Sequence, residues 1–336
     1  MFALKNDTVN IGFFGPEPAA PIHEAVALLK ERDDFLILCH QKPDGDTVGS
    51  AFALREALRQ MGKRAQVACS DAFTPRYDFI TKGEREPHRD FVPKTYITVD
   101  IADPSLLGDK LEHLRANIDL AIDHHPSFSK FAACNVGYPS TAAAGEIVYH
   151  ILKELGVELT LDIAQALYTA LSTDTGCFQY SNTTADTHRT AAALMETGIP
   201  AAELNKRHFR TKTLKRLRIE SRIVEGMELF DGGETAVAAV DLAMVAQLGA
   251  DERDLEDIAS FVGQVEGVKN AITIRELRPG TCKLSLRTDP EVLNASRVCA
   301  LLGGGGHAAA SGATVEGSVE EAKRAILWAI EQVRHG

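Results

Sequence analysis

Short apolar runs alternate with stretches of helical periodicity through the first half of the chain. The runs lie at residues 35–39, 65–68, 96–99 and 120–122. Runs of this length are typical of parallel strands that are covered on both faces. In the segments between them, such as residues 47–61, apolar residues recur at helical spacing. The pattern predicts an α/β fold with a doubly wound, mainly parallel sheet. Further along, Ser140 and Thr141 are expected to cap a helix that ends near Leu155.

Acids and histidines follow these strands where each one ends. Because the carboxyl ends of strands in an open α/β sheet form one crevice, groups far apart in sequence are expected to meet there. The two histidines after residues 120–122 could instead make ordinary surface hydrogen bonds, but this leaves the other strand ends unexplained. The residues predicted to meet as metal ligands are His40, Asp44, Asp46, Asp100, His124 and Asp174, the last at the end of an apolar helix over residues 161–173.

The predicted ligand set is four carboxylates and two imidazoles without a thiolate. Four negative charges match two divalent ions, so a buried binuclear cluster would be nearly neutral. Such donors favour Mn²⁺, with Mg²⁺ or another divalent ion as alternatives. Two ions about 3.5–4 Å apart would lower the pKa of a water to roughly 7 and clamp a phosphoryl oxygen. Asp100 is the predicted bridge, and Asp123 is expected to orient a neighbouring imidazole.

The second half of the chain predicts a smaller α/β domain. A basic stretch with helical spacing over residues 206–222 is either a solvated linker helix or a basic surface that faces an anionic substrate. A strand at 235–241, a helix at 252–261 and a hairpin turning on Pro279-Gly280 follow. The expected division is an N-terminal extension at 1–20, a catalytic metal-binding domain at 21–190, a helical linker at 191–228 and a substrate-binding domain at 229–336.

A glycine run provides the second candidate site. Gly303, Gly304, Gly305 and Gly306 precede His307 in a predicted loop, and backbone N–H groups of such a run can surround an anion. Arg287, at the end of a hairpin strand, can donate two parallel hydrogen bonds from its guanidinium to the same anion, a phosphate of the substrate. The alternative is a flexible turn. Two aromatic residues, Phe178 and Tyr180, either stack on a base or belong to the core.

Composition narrows the class of protein. The 336 residues are 45% hydrophobic, with a net charge of −11 and six cysteines without a C-x-x-C pair. The acidic balance argues against broad contact with long duplex nucleic acid. Scattered cysteines, and the absence of a leader-like or bilayer-spanning apolar stretch, favour a soluble cytoplasmic protein with reduced thiols. Dinucleotide, phosphate-loop and nucleophile-elbow patterns are lacking.

The motifs together resemble the DHH phosphoesterase family, named for the triplet that stands here as Asp123-His124-His125. The other motifs are His40-Gln-Lys-Pro-Asp44-Gly-Asp46, Val99-Asp100, Ser172-Thr-Asp174 and the GGGGH of residues 303–307 preceded by Ser285-Leu-Arg287-Thr. The match covers roughly residues 22–330.

The resemblance implies a two-domain hydrolase with paired Mn²⁺ ions and an active-site cleft between the domains. It implies the six ligands named above, His125 as a catalytic residue beside the scissile phosphate, and substrate contacts from Arg287 and His307; Asp123 is the other predicted catalytic residue, through its orientation of a neighbouring imidazole. The layout is most similar to the subgroup that degrades very short RNAs and dephosphorylates 3′-phosphoadenosine 5′-phosphate. Hydrolysis of cyclic or linear signalling dinucleotides, and a non-catalytic nucleotide sensor, stay open. A homodimer is expected from the frequency of such assemblies.

Overall fold

The computed structural model describes residues 20–84, 86–255 and 258–335. The chain divides into two compact units, the first ending at Thr211 and the second beginning at Lys212. All but the last residue of the predicted N-terminal extension lies outside the described residues. None of the helices in the described ranges has the length and apolar character needed to cross a bilayer.

Within the described residues, five strands and seven α-helices build the first unit. The strands are β1 (Phe35–Leu38), β2 (Ala65–Ala68), β3 (Thr95–Val99), β4 (Leu120–Asp123) and β5 (Cys134–Gly137). The helices are α1 (Ala20–Glu31), α2 (Gly45–Gln60), α3 (Asp78–Thr81), α4 (Ala144–Leu155), α5 (Leu161–Asp174), α6 (Ala185–Glu196) and α7 (Ala201–Asn205).

The five strands form one parallel sheet in the order β2-β1-β3-β4-β5. Every residue of β1 and β4 is buried, as expected for strands with both faces covered. The order reverses between β1 and β3, and the crevice beyond the carboxyl ends at such a switch point is where ligands bind in open α/β sheets. The predicted α/β class is confirmed.

Helices α2 and α5 approach each other unusually closely. A Cβ atom on Gly49 would lie 2.3 Å from the carbonyl oxygen of Ala166, and one on Gly45 would lie 2.3 Å from Oγ1 of Thr173. Since real Cβ atoms do not come that near, only glycine permits this approach. The close contact brings the end of α5, and with it Asp174, to the start of α2.

The second unit has its own mixed sheet, in the order β10-β11-β9-β8-β7-β6, in which only β7 and β8 pair in parallel. The strands are β6 (Glu228–Phe230), β7 (Thr235–Val240), β8 (Asn270–Arg278), β9 (Thr281–Thr288), β10 (Gly305–Gly306) and β11 (Ala310–Glu316). The helices are α8 (Leu214–Glu225), α9 (Leu242–Leu248), α10 (Ile258–Phe261), α11 (Ala295–Ala300) and α12 (Val319–His335).

Two predictions about helix ends are corrected. Helix α4 begins at Ala144, its N-cap is Ala143, and no side chain of that cap accepts a hydrogen bond, so Ser140 and Thr141 do not cap it. The expected continuous helix over residues 206–222 is interrupted, because a π-helical turn at Lys206–Arg210 is followed by α8, which starts at Leu214 with Thr213 as its cap.

Three of the basic residues of this segment bind neighbouring groups in the second unit. Lys212 and Arg216 both bind Glu220, at 2.8 Å, and Lys215 donates to the carbonyl of Gly249. These pairs account for much of the positive charge that the sequence concentrates there.

Candidate metal centre

His40 and Asp44 enter the centre from the loop between β1 and α2. Asp44 is the N-cap of α2, and its Oδ1 accepts hydrogen bonds from the amides of Asp46 and Thr47. Nδ1 of His40 lies 2.7 Å from the carbonyl oxygen of Gln41. A proton on Nδ1 satisfies that carbonyl and leaves the lone pair on Nε2, which lies 3.6 Å from Oδ1 of Asp44.

Asp100 follows β3 at the switch point of the sheet and is only 3% exposed. Its backbone has a φ of 61°, a left-handed conformation that is costly for most residues and that Asp tolerates better than others. Its Oδ1 has no hydrogen-bond partner among the described residues. An orphaned buried carboxylate oxygen in a strained backbone is typical of a functional site.

Asp46 lies in the first turn of α2 and is fully buried. Its Oδ2 accepts a hydrogen bond from the amide of Ala144 at 2.7 Å, and its Oδ1 accepts from the amide of Gly145 at 3.0 Å. Ser50 Oγ donates a third hydrogen bond to Oδ1, at 2.8 Å. Asp46 therefore caps helix α4 from another helix, and the positive end of α4 stabilises its charge.

His124, directly after β4, faces three carboxylates. Its Nδ1 lies 3.3 Å from the carbonyl oxygen of Thr141, so this ring is oriented as the His40 ring is. Its Nε2 lies 3.8 Å from Oδ2 of Asp46, 3.6 Å from Oδ1 of Asp100 and 3.5 Å from Oδ2 of Asp174.

His125 is held differently from the other two histidines. Its Nδ1 lies 2.9 Å from Oδ1 of Asp123, and its backbone amide donates to Oδ2 of the same carboxylate at 3.1 Å. Asp123 is completely buried at the end of β4. The carboxylate thus fixes the orientation of the His125 ring, with the proton on Nδ1.

Seven of the predicted site residues form three overlapping groups, and within each group the ligand atoms lie within 4.8 Å of one another. The groups are His40 with Asp44 and Asp100, Asp46 with His124 and Asp174, and Asp100 with His124 and His125. Two ligands on one ion, each bonded at about 2.0–2.2 Å, lie roughly 3.0–3.6 Å apart. The observed separations of 3.5–3.8 Å are close to that and too long for hydrogen bonds. The arrangement fits a divalent cation.

The electrostatics of the site point the same way. Burial, with Asp100 as the next cause, raises the pKa of Asp46 to about 7. Burial together with Asp46 and Asp100 raises the pKa of Asp174 well above its usual range. Burial alone would lower the pKa of His40, but interaction with the nearby carboxylates of Asp100 and Asp44 raises it to about 11. The cluster holds more negative charge than its surroundings balance, which favours positively charged ligands.

The predicted substrate residues lie at one end of the second unit's sheet. Arg287 is exposed on β9 and pairs across the sheet with Ala310, whose carbonyl accepts a hydrogen bond from the His307 amide at 2.8 Å. Arg287 and His307 therefore lie near each other. The loop predicted for residues 303–307 is wrong in part, because Gly305 and Gly306 pair with Gly312 and Ser311 as strand β10. A Cβ on Gly304 would lie 2.1 Å from the Gly312 carbonyl oxygen. Close packing against β11 therefore explains why residue 304 is a glycine.

Several residues that support the centre were not predicted from the sequence. Ser50 binds Asp46, and Asn182 donates to the carbonyl of Asp174 at 3.1 Å. Buried Glu146 accepts hydrogen bonds from the Ala142 amide and from Thr187 Oγ1. For Ser50 and Glu146 the only sequence signal is their position in apolar helical segments, where a polar residue requires a partner; Asn182 lies in the turn between α5 and α6 and gives no such signal.

Comparison with known protein families finds matches in both halves of the chain. The model of the DHH family, N-terminal domain, matches residues 34–171, and that of the DHHA1 domain matches residues 234–335.

Relatives and solved structures agree with these matches. The chain is 34% identical to the bifunctional oligoribonuclease and PAP phosphatase NrnA of Thermus thermophilus, over 88% of this chain and 89% of that protein. It is 23% identical to the protein of the same name in Bacillus subtilis, over 90% and 96% of the two chains. An exopolyphosphatase-related protein of Bacteroides fragilis has the same fold, with a TM-score of 0.86 and 22% identity over 94% and 96% of the chains.

Proposed function

The chain belongs to the DHH family, and on that premise we propose that it hydrolyses very short oligoribonucleotides to nucleoside monophosphates and dephosphorylates 3′-phosphoadenosine 5′-phosphate. The observation that carries the proposal is the convergence of His40 and His124, each oriented by a backbone carbonyl, on buried carboxylates. The names of the relatives from Thermus and Bacillus support the substrate class.

We propose two Mn²⁺ ions as the cofactor, with Mg²⁺ or another divalent ion as substitutes. One would take His40, Asp44 and Asp100, and the other Asp46, His124 and Asp174, with Asp100 between them. The groupings of ligand atoms and the orphaned Oδ1 of Asp100 support this division. When bound, such ions supply positive charge to phosphoryl oxygens and make water a stronger acid near neutral pH.

The protein's own residues position and protonate the substrate in this proposal. Asp123 holds His125 and, together with Asp100, raises its pKa although burial alone would lower it. A protonated His125 donates from Nε2 to a phosphate or leaving oxygen, acting as an acid at the scissile bond. In the second unit, Arg287 and the Gly303–His307 segment would bind the substrate's terminal phosphate.

We propose a catalytic metal-binding domain at residues 21–190 and a substrate-binding domain at residues 229–336, joined by a helical linker at residues 191–228. A net charge of −11 supports substrates held at one end rather than along a duplex. Six free cysteines support a cytoplasmic location, and a homodimer is proposed from the frequency of twofold assemblies.

Turnover tests the proposal directly. Wild-type protein with Mn²⁺ should cleave a defined dinucleotide and 3′-phosphoadenosine 5′-phosphate, whereas Asp46→Ala and Asp174→Asn should be inactive. Asp109→Asn, an exposed acid of the same unit, is the matched control, and thermal unfolding verifies folding. Equal rates for wild type and Asp174→Asn would overturn the mechanism. A panel with cyclic and linear signalling dinucleotides separates the alternative substrates, and binding without products from the metal-loaded protein would indicate a sensor.

A further inference from the structure

The turn that follows Asp174 has an unusual backbone. Gly176, Cys177 and Phe178 are consecutive left-handed residues, with φ values of 56°, 60° and 65°. Each non-glycine residue in this conformation costs about 1–2 kcal/mol. Three in succession, directly after a predicted metal ligand, indicate that the path of the chain here serves something other than stability.

Hydrogen bonds fix this turn to the end of α5. The amides of Gln179 and Tyr180 both donate to the carbonyl of Thr175, at 2.9 and 3.0 Å. The hydroxyl of Thr175, which is completely buried, accepts from the amide of Phe178 at 3.0 Å. Asn182 then donates from its side chain to the carbonyl of Asp174. Tyr180 is therefore held at a defined position relative to Asp174.

The two aromatic residues of the turn have different environments. Phe178 packs against the core, with its ring 5.2 Å from the His188 ring in a stacked arrangement and 6.0 Å from the Tyr168 ring. Tyr180 is 56% exposed. Phe178 is thus partly buried against the core, whereas the Tyr180 side chain is largely exposed.

Tyr180 also lies against the backbone of the strained turn. A Cβ on Gly176 would lie 2.4–2.8 Å from the tip of the Tyr180 ring, so the glycine provides both the left-handed turn and the space for the ring. Packing on Gly176 restricts the motion of the ring, which lowers the entropy lost when another flat group contacts it.

A cation lies beside the same turn. Burial raises the pKa of the Cys177 thiol, while the nearby positive charge of Arg210 acts to lower it. Arg210 is exposed and ends the π-helical turn. The exposed ring of Tyr180 suits the flat base of a nucleotide, and the positive charge of Arg210, which acts on Cys177 of the same turn, suits an anionic phosphate.

We propose that Tyr180 stacks on a nucleobase of the substrate whose phosphate lies at the candidate metal centre. This inference rests on the proposed function and adds a specificity-determining residue to it. Because every base has a π-face, stacking on Tyr180 selects nucleotides over other phosphate esters without strict choice of base. The hydroxyl group of Tyr180 is not required for stacking.

The test compares substrates with and without bases. The variants are Tyr180→Ala, Tyr180→Phe and, as a matched exposed aromatic elsewhere, Trp328→Ala. For a dinucleotide, Tyr180→Ala should raise KM about 5- to 150-fold, the range for loss of one base–aromatic stack, with a smaller change in kcat. Tyr180→Phe and Trp328→Ala should stay within about twofold of wild type. For an abasic dinucleotide of the same length, Tyr180→Ala should leave KM unchanged.

An unchanged KM for the dinucleotide in Tyr180→Ala, or an equal increase for the abasic compound, would overturn the inference. If the wild type hydrolyses neither compound, the proposed function fails, and calorimetry then decides the role of Tyr180 independently. In that measurement, with Mn²⁺ present, Tyr180→Ala should weaken binding of adenosine monophosphate and not of ribose 5-phosphate. Equal weakening of both, or of neither, rejects base stacking by Tyr180.

Discussion

Nε2 of His124 lies 3.5 Å from Oδ2 of Asp174, although one residue follows a strand and the other ends a helix. Their approach depends on the close packing of α2 and α5 and on the orientation of the His124 ring by the Thr141 carbonyl. The candidate centre is therefore a product of the fold of the first unit and not of one local motif.

Divalent ions should stabilise the protein against unfolding. Ions that bind only the folded state at 100 times Kd add about 2.7 kcal/mol, and here they also relieve repulsion among Asp46, Asp100 and Asp174. Thermal unfolding in chelator and in excess Mn²⁺ measures the effect. Asp100→Asn should lose most of the shift and Asp109→Asn should keep it. An identical transition temperature in chelator and Mn²⁺ for the wild type would contradict the metal site.

Ser50→Ala should weaken Mn²⁺ binding about 10- to 100-fold, because the Ser50 hydroxyl donates a hydrogen bond that orients the Asp46 carboxylate. Calorimetric titration with Mn²⁺ gives the affinity. Ser70→Ala is the matched control, since Ser70 is also buried and donates instead to the Leu107 carbonyl. Equal Mn²⁺ affinities in the two variants would show that Ser50 has no role in positioning Asp46.

Acid should destabilise the first unit through His208. Burial, then Arg76 and Arg207, lowers the pKa of His208 to about 3, and neither ring nitrogen has a hydrogen-bond partner among the described residues. Below pH 6.5 the unfolded chain protonates this histidine while the folded chain does not, so stability falls as the pH drops from about 6.5 towards 3.

The variant His208→Phe keeps the stacking on Tyr77 and removes the titrating group. Urea unfolding at pH 7 and pH 4 gives the free energy of unfolding under each condition. Between pH 7 and pH 4 this free energy should fall by about 2–3 kcal/mol less in His208→Phe than in the wild type. His113→Gln, at an exposed position, is the control. The same loss in His208→Phe and wild type would reject the assignment.

Gly49→Ala should destabilise the protein even though alanine is the better helix former by about 1 kcal/mol. The new methyl group would meet the Ala166 carbonyl at 2.3 Å, and overpacking of this kind costs about 1–3 kcal/mol. Differential scanning calorimetry gives the change. Gly263→Ala, where the nearest atom is at 3.5 Å, should be neutral or stabilising. A rise in stability for Gly49→Ala would show that α2 and α5 can separate at no cost.

Much of the first unit was predictable, because buried parallel strands leave continuous apolar runs and their ends leave polar residues. Strand β5 was missed, since Cys134-Asn-Val-Gly137 is half-exposed and lacks such a run. The capping of α4 was also missed. Its acceptor, Asp46, lies 98 residues away in sequence, and nothing local to Ser140 or Thr141 indicates that a distant carboxylate replaces them.

The second unit was less predictable at the end of its sheet that carries the glycine run. Four glycines in succession predict a loop. Strand β10 forms instead, because β11 offers backbone hydrogen-bonding partners that the sequence pattern of residues 310–316 does not indicate. The break between Arg210 and Leu214 was hidden for a similar reason. Basic residues continue through it at helical spacing, and only the capping role of Thr213 marks the start of α8.

The carbonyl contacts of Gln41 and Thr141 have a kinetic consequence. Both imidazoles are already rotated towards the carboxylates, so an arriving cation does not have to wait for a side chain to turn. Loading of the centre should then be as fast as the ion can shed its own hydration water, and exchange between Mn²⁺ and the slowly dehydrating Mg²⁺ should reflect the chemistry of the ions more than any rearrangement of the polypeptide.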